Sequence, residues 1–232
     1  IGNSPSSTTD TAEYNVAVGT TALDAITTGD YNTAVGYDSL TANNTGEHNT
    51  AFGYKSLATC TTGKYNTAIG YNALTALTQF SESGGNQLGS SNTAVGYESI
   101  KSVTTGYDNT GVGRHALKSV TTGNNNVSMG RGTLPFLTTG TLNVAIGSSG
   151  VGMTVETGSN NILLGTADVN SGNTSSANQI VIGNNATGHG DNIAVIGNGL
   201  CTAWHPHDDN EVDLGSSSYA FKDIYLHNTV VF

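Results

Sequence analysis

The chain has 232 residues, of which 10% are charged and 7% aromatic, and it contains 31 glycines and 3 prolines. Such a polar composition suits a thin, elongated core better than a thick globular one. A net charge of −10 with only seven Lys and Arg residues argues against a nucleic-acid surface. We therefore expect no nucleic-acid partner. No apolar run approaches the length of a membrane-spanning helix, so we also expect no membrane insertion.

A five-residue pattern recurs along most of the chain and reads Asn-Thr-Ala-Ile-Gly in residues 66–70. Successive closing glycines are separated by 17, 17, 17, 26, 17, 17, 17, 18, 18 and 14 residues. A fixed period in this range is typical of stacked repeats and predicts a solenoid. The closing glycines are Gly19, Gly36, Gly53, Gly70, Gly96, Gly113, Gly130, Gly147, Gly165, Gly183 and Gly197.

The spacing of this pattern divides the chain into segments. Residues 1–13 are rich in Ser and Thr, show no periodicity and are predicted to be a linker. Residues 14–140 carry the 17-residue repeats, with an insertion at residues 79–91. Residues 141–199 are richer in apolar residues and are predicted to form a tighter β-roll. Residues 200–232 leave the repeat, which predicts a cap or neck.

Each repeat begins with a short stretch that alternates as a β-strand does. We expect the residue before each glycine, such as Ile69, to face the core of its own chain. The small residue before it, such as Ala68, is then expected to meet a closely approaching neighbour. In later repeats the small residue becomes Leu163 and Val181. Strands that are apolar on both faces are buried on both, so we expect tighter packing between chains there.

The second half of each repeat has a different spacing. Leu74 lies four residues after its glycine, and Leu77 follows three residues later. These spacings suit a single helical turn, and a bulged second strand also explains them. The predicted fold is therefore an all-β solenoid or β-roll, with one short strand plus a helical turn or a second strand per repeat. Because one repeat buries little apolar area, we expect an intertwined or side-by-side homotrimer.

Tyrosine follows the closing glycine in four repeats, and Arg114 and Arg131 replace it in the next two. Since core positions do not exchange Tyr for Arg, this column is predicted to be exposed. Stacked at about 4.8 Å per turn, the rings would form a ladder. The ladder could stack sugar rings, or it could simply pack repeat against repeat. The tyrosines are Tyr37, Tyr54, Tyr71 and Tyr97.

The insertion adds nine residues to one repeat, and it includes apolar side chains in an otherwise polar stretch. Insertions in solenoids often lie on the binding face, although a tolerated surface loop would look the same. The insertion and one aromatic residue of the C-terminal segment supply the candidate receptor-binding residues. These are Phe80, Glu82, Gln87, Leu88 and Trp204.

No catalytic motif is recognisable, so we expect the chain not to be an enzyme and to need no cofactor. Carboxylates such as Asp24, Asp38 and Glu98 are interpreted as solvated surface groups. His205 and His207 lie two residues apart, and in a three-fold assembly their imidazoles could bind a transition metal on the axis. An ordinary cap loop is the alternative. Cys60 and Cys201 are both predicted to be buried free thiols.

The Asn-x-Ala-apolar-Gly pattern resembles two families: the heads of trimeric autotransporter adhesins, and viral or phage tail-fibre and spike proteins. The stretch Leu214–Leu226 is similar to the segment that precedes an endosialidase-type intramolecular chaperone in phage fibres. The fibre resemblance implies a homotrimer on a virion that binds a host-cell glycan or other receptor, with an end such as Phe232 left by self-cleavage. The adhesin resemblance implies a bacterial cell surface. A polysaccharide depolymerase spike is a third expectation.

Overall fold

The computed structural model describes residues 11–78, 81–83, 86–203, 218–223 and 225. The contacts divide the chain into two units, Ile1–Asn198 and Gly199–Phe232. All of the strands among the described residues lie in the first unit. The described residues of the second unit form neither helix nor strand.

Eleven short strands form one sheet in which every neighbouring pair is parallel. Each strand pairs with the strand one turn further along at equivalent residues, as Ala34 does with Ala51. The inserted segment forms a separate antiparallel hairpin from β5 (Ser81–Ser83) and β6 (Asn86–Leu88). The strands of the large sheet are β1 (Val16–Val18), β2 (Thr33–Val35), β3 (Thr50–Phe52), β4 (Thr67–Ile69), β7 (Thr93–Val95), β8 (Thr110–Val112), β9 (Val127–Arg131), β10 (Val144–Ser149), β11 (Ile162–Gly165), β12 (Ile180–Ile182) and β13 (Ala194–Ile196).

The molecule is thus all-β, a parallel β-solenoid of roughly ten turns, as the period predicts. The prediction of a helical turn is wrong, because no described residue is helical and the segment after most closing glycines consists of turns. Its backbone amides bond to the next turn along the stack, as Leu40 N–H does to the Ser56 carbonyl at 3.0 Å. Positive φ values at Asp38 (53°) and Leu40 (49°), repeated in successive turns, form the corners and exclude a helix.

The closing glycine is required by the backbone at this corner. Gly70 has a φ of +135°, which side-chain-bearing residues rarely adopt. A Cβ added there would lie 2.5 Å from the carbonyl oxygen of Gly96 on the next turn. The repeat therefore ends in glycine because the turns stack too closely for any side chain.

The two faces of the strand are the reverse of the prediction. Ala68 is fully buried in the chain's own core, whereas Ile69 is 40% exposed on the outside of the sheet. The buried leucines that follow successive closing glycines, such as Leu57 and Leu74, form what we call the leucine column. The corners fold the leucine column back over the middle strand residue and leave room only for a small side chain. At Gly111, in the alanine column, an added Cβ would lie 2.7 Å from Cγ1 of Ile100.

The large residues of the later strands also have a different role from the one predicted. Leu163 and Val181 point into the core of their own chain and are buried there. The leucine column supplies a glycine instead at Gly152, where an added Cβ would lie 3.2 Å from Cδ1 of Leu163. Cδ2 of Leu134 lies still closer to the same point, at 2.6 Å, so Leu134 and Leu163 together fill space that a leucine occupies in earlier turns, and the change from Ala to Leu offsets the lost core volume within one chain.

A ladder of buried asparagine side chains runs along the core beside the strands. From Asn49 to Asn161, each side-chain amide donates to the side-chain oxygen of the previous asparagine at 2.9–3.2 Å. From Asn32 to Asn143, each also donates to a glycine carbonyl of the following turn at 2.8–3.1 Å, and Asn161 donates to the Ser176 carbonyl instead. The ladder satisfies polar groups that the thin core would otherwise leave unpaired. Its members are Asn32, Asn49, Asn66, Asn92, Asn109, Asn126, Asn143 and Asn161.

Candidate functional site

The outer surface of the sheet carries a continuous column of apolar side chains, one per turn. These are the residues that precede the closing glycines, and seven of them are more than a third exposed. Their exposure follows from the reversed strand faces, since the alternating neighbour occupies the core. We call this set the apolar column. Its most exposed members are Val18, Phe52, Ile69, Val112, Met129, Ile146 and Ile196.

The predicted tyrosine ladder is present and exposed. Its ring centroids are 5.5, 5.0 and 5.2 Å apart and its rings are within 12° of parallel. Tyr54 and Tyr71 are covered by a ring on each side, which favours packing of repeat on repeat as the role of these inner rings. The last ring, Tyr97, meets Arg114 and a tilted His115 instead.

A second aromatic stack precedes the strands and was missed from the sequence. Tyr14, Tyr31, His48 and Tyr65 stack with centroids 4.9–5.1 Å apart. The signal was available, because each of these residues stands immediately before the asparagine of a repeat. The second stack is equally consistent with a packing role.

A basic cleft lies where the tyrosine ladder ends, and the sequence did not identify it as a site. Arg114 and Arg131 continue the tyrosine column on successive turns, and Gly132 N–H donates to the Arg114 carbonyl at 2.8 Å. The cleft has a volume of about 480 Å³. It is lined by Arg114, His115, Lys118, Ser119, Arg131, Gly132, Pro135, Phe136, Ser149, Gly150, Met153 and Asp168.

Glu98 anchors one wall of the cleft and is not the solvated carboxylate that was predicted. It is 8% exposed and lies 2.6 Å from Lys101 Nζ, 2.9 Å from Lys118 Nζ and 3.3 Å from His115 Nε2. Hydrogen bonds from Lys101 and then Lys118 lower the pKa of Glu98 from 4.5 to about 2. The carboxylate therefore stays ionised and holds Lys118 and His115 in place.

The other charges of the cleft are less well matched. Burial, followed by the charges of Lys118 and Arg114, lowers the pKa of His115. Asp168 is the acidic lining residue. Within the described part of the chain, neither Arg114 nor Arg131 has a carboxylate within 4 Å. The cleft is consequently a positive site on an acidic chain, and it is suited to an anion.

Three of the five predicted receptor-binding residues belong to the hairpin strands. Phe80 and Trp204 lie outside the described residues. The backbones of Glu82 and Gln87 pair with each other in the hairpin. Leu88, at the end of β6, is partly buried.

The predicted metal site cannot be placed, because His205 and His207 also lie outside the described residues. Over the part of the chain that is described, no three His, Cys, Asp or Glu side chains cluster as metal ligands. Cys60 is a buried free thiol, as predicted, and burial raises its pKa to about 12. Cys201 is exposed, so the prediction of a second buried thiol is wrong.

Comparison of the chain with protein-family models, with curated proteins and with solved structures finds no match in any of the three. Among the described residues, no helix is long and apolar enough to cross a membrane.

Proposed function

We propose that the chain is a segment of a homotrimeric virus or phage tail fibre that attaches the virion to a glycan or another receptor on the host cell. It acts as a binding and structural module rather than an enzyme. The observation that carries the proposal is the apolar column along the whole stack. Such a surface is typical of an interaction site, and three parallel copies around a closed axis would cover it.

Attachment is the function that best uses this architecture. A stack of about ten turns keeps its surface features in fixed positions, and a trimer would present each of them three times. Three weak contacts then gain affinity through effective concentration. The basic cleft is a candidate for the receptor contact, because it combines charged, polar and apolar side chains in one concavity.

The trimer is tested by mass measurement under native conditions. We expect three times the chain mass of 23.7 kDa for the unaltered chain. Ile69→Asp should shift the mass toward that of one chain, since it places a charge on the apolar column. Thr28→Asp, at an exposed position away from this column, is the matched control and should remain trimeric. A folded monomer at micromolar concentration would refute the proposed trimer.

Attachment is tested by binding the trimer to a glycan array and to candidate host cells. The head of a bacterial trimeric adhesin is the alternative function, because the same apolar column suits it equally. A coiled-coil stalk and membrane anchor encoded downstream would select the adhesin. Cleavage of a polysaccharide by the purified trimer would instead select a depolymerase.

A further inference from the structure

We infer that the basic cleft binds the carboxylate of an acidic saccharide, with Arg114 and Arg131 as the principal anion contacts. This inference rests on the proposed attachment function and names the class of ligand for it.

The first support is the concentration of positive charge. Arg114, Lys118 and Arg131 are three of the seven Lys and Arg residues in a chain with a net charge of −10. The two arginines occupy one column on successive turns, an arrangement in which like charges repel each other. Earlier turns carry tyrosine in this column, so the solenoid does not need a cation there. A bound anion would offset the repulsion.

The second support is the preparation of the cleft for a carboxylate. Glu98 holds Lys118 at 2.9 Å, and Arg114 lies 5.8 Å from the ring centre of Tyr97. Both cations are therefore positioned before a ligand arrives, which reduces the entropy lost on binding. The planar guanidinium group matches a carboxylate through two parallel hydrogen bonds.

The third support is the mixture of other groups in the cleft, which favours a sugar over a dense polyanion. Phe136 is 50% exposed and Met153 is 40% exposed, so both offer apolar surface to the C–H face of a pyranose ring. Ser149 and Asp168 can bond to sugar hydroxyls. Asp168 would repel a polymer with a charge on every unit. The volume of about 480 Å³ lies within the usual range for small-ligand sites.

The test uses the full chain and two hexasaccharides that differ only in whether they carry carboxylates. One is the hyaluronan hexasaccharide, in which glucuronate alternates with N-acetylglucosamine. The other is the same hexasaccharide after reduction of its carboxylates to alcohols. Calorimetric titration should give measurable binding of the first and at least tenfold weaker binding of the second. Equal affinity for the two would overturn the inference.

Three variants locate the binding. Arg131→Gln should weaken binding of the acidic hexasaccharide about tenfold, the loss expected for one charge-assisted pair. Lys222→Gln removes the same charge from an exposed position in the second unit and should change nothing. Arg131→Tyr restores the residue type of the earlier turns, so it should keep the melting temperature while losing affinity. Equal loss in Arg131→Gln and Lys222→Gln would contradict the inference.

An independent readout comes from the imidazole resonances of His115. The groups around this ring are Glu98, Lys118, Arg114 and Arg131. An anion bound beside these cations should raise the pKa of His115, and the reduced hexasaccharide should leave it unchanged. An unchanged pKa at saturation with the acidic hexasaccharide would place the ligand elsewhere on the chain.

The two proposals can fail separately. If the trimer attaches to neutral glycans alone, the attachment function stands and the acidic saccharide is wrong. If the cleft binds the acidic hexasaccharide but the chain is monomeric and does not attach to cells, the site stands and the fibre function is wrong.

Discussion

At the scale of single residues, the asparagine ladder shows how a thin core tolerates polar side chains. Asn109 donates to the Asn92 side chain and to the Gly123 carbonyl, and its oxygen accepts from the backbone and side chain of Asn126. Replacing it would leave several buried groups unpaired at once. The sequence pattern showed that this position repeats, but not that its side chains bond to one another.

Asn109→Ala is expected to lower the free energy of unfolding by about 2–4 kcal/mol, because it leaves buried donors and acceptors without hydrogen-bond partners. Asn184→Ala changes an exposed asparagine and should have an effect within about 0.5 kcal/mol. Urea unfolding followed by circular dichroism measures both. Similar midpoints for the two variants would show that the ladder adds little to stability.

Glu98 gives a prediction about pH. Because its pKa is depressed to about 2 from 4.5, its contribution to stability is complete above pH 4.5 and is lost as the pH falls toward 2. Glu98→Gln should therefore destabilise the chain at pH 7 by about 1–3 kcal/mol, and the difference from the unaltered chain should vanish near pH 2. Thermal unfolding at a series of pH values checks this. A difference that stays constant down to pH 2 would contradict it.

The Glu98 cluster could not be predicted from alternation alone. Its partners His115 and Lys118 lie on the next turn, and they meet it only once the alignment of the turns is known. The tyrosine ladder was predictable because identical side chains at one position of a repeat must stack, whatever the conformation of the rest.

At the scale of the repeat, the period identified the strands but not which face they bury. Alternation with a period of two is unchanged when the faces are exchanged, so Ala68 and Ile69 fitted either assignment. The deciding feature is the left-handed conformation of leucines such as Leu57, whose φ is 51°. Such values are uncommon for leucine, and helical spacing therefore pointed to the wrong structure.

Ala68→Leu should destabilise the chain by about 1–3 kcal/mol through overpacking, whereas Ala25→Leu at an exposed position should be nearly neutral. By analogy with Leu163 and Gly152, Leu57→Gly should make room for the larger residue. The double variant Leu57→Gly/Ala68→Leu should lose less stability than the sum of the single variants, by at least about 1 kcal/mol. Simple additivity in denaturant unfolding would refute the exchange of volume.

At the scale of the whole molecule, the hairpin β5–β6 is an addition to a regular stack. The Thr78 amide and the Gly89 amide on either side of it still bond to the next turn, with carbonyls at 3.4 and 3.0 Å. The solenoid thus continues past the hairpin without a change of register.

Deletion of residues 80–88 restores a 17-residue step, and we expect the chain to stay folded with a melting temperature changed by less than about 5 °C. Differential scanning calorimetry measures this, and loss of the cooperative transition would contradict it. The same deletion tests the predicted contacts at Phe80, Glu82, Gln87 and Leu88. Unchanged attachment to host cells would show that the hairpin does not contact the receptor.

The close stacking at Gly70 and Gly96 also governs how the length of this protein can vary. Each glycine must meet its equivalent one turn away, so the solenoid can be extended or shortened only by whole turns of about 4.8 Å. The nine residues added to one repeat leave the stack as a hairpin, whereas the later strands keep their pairing across steps of 18 and 14 residues. The length of the solenoid can therefore change in steps of one turn without a new core, and so can the reach of a fibre built from it.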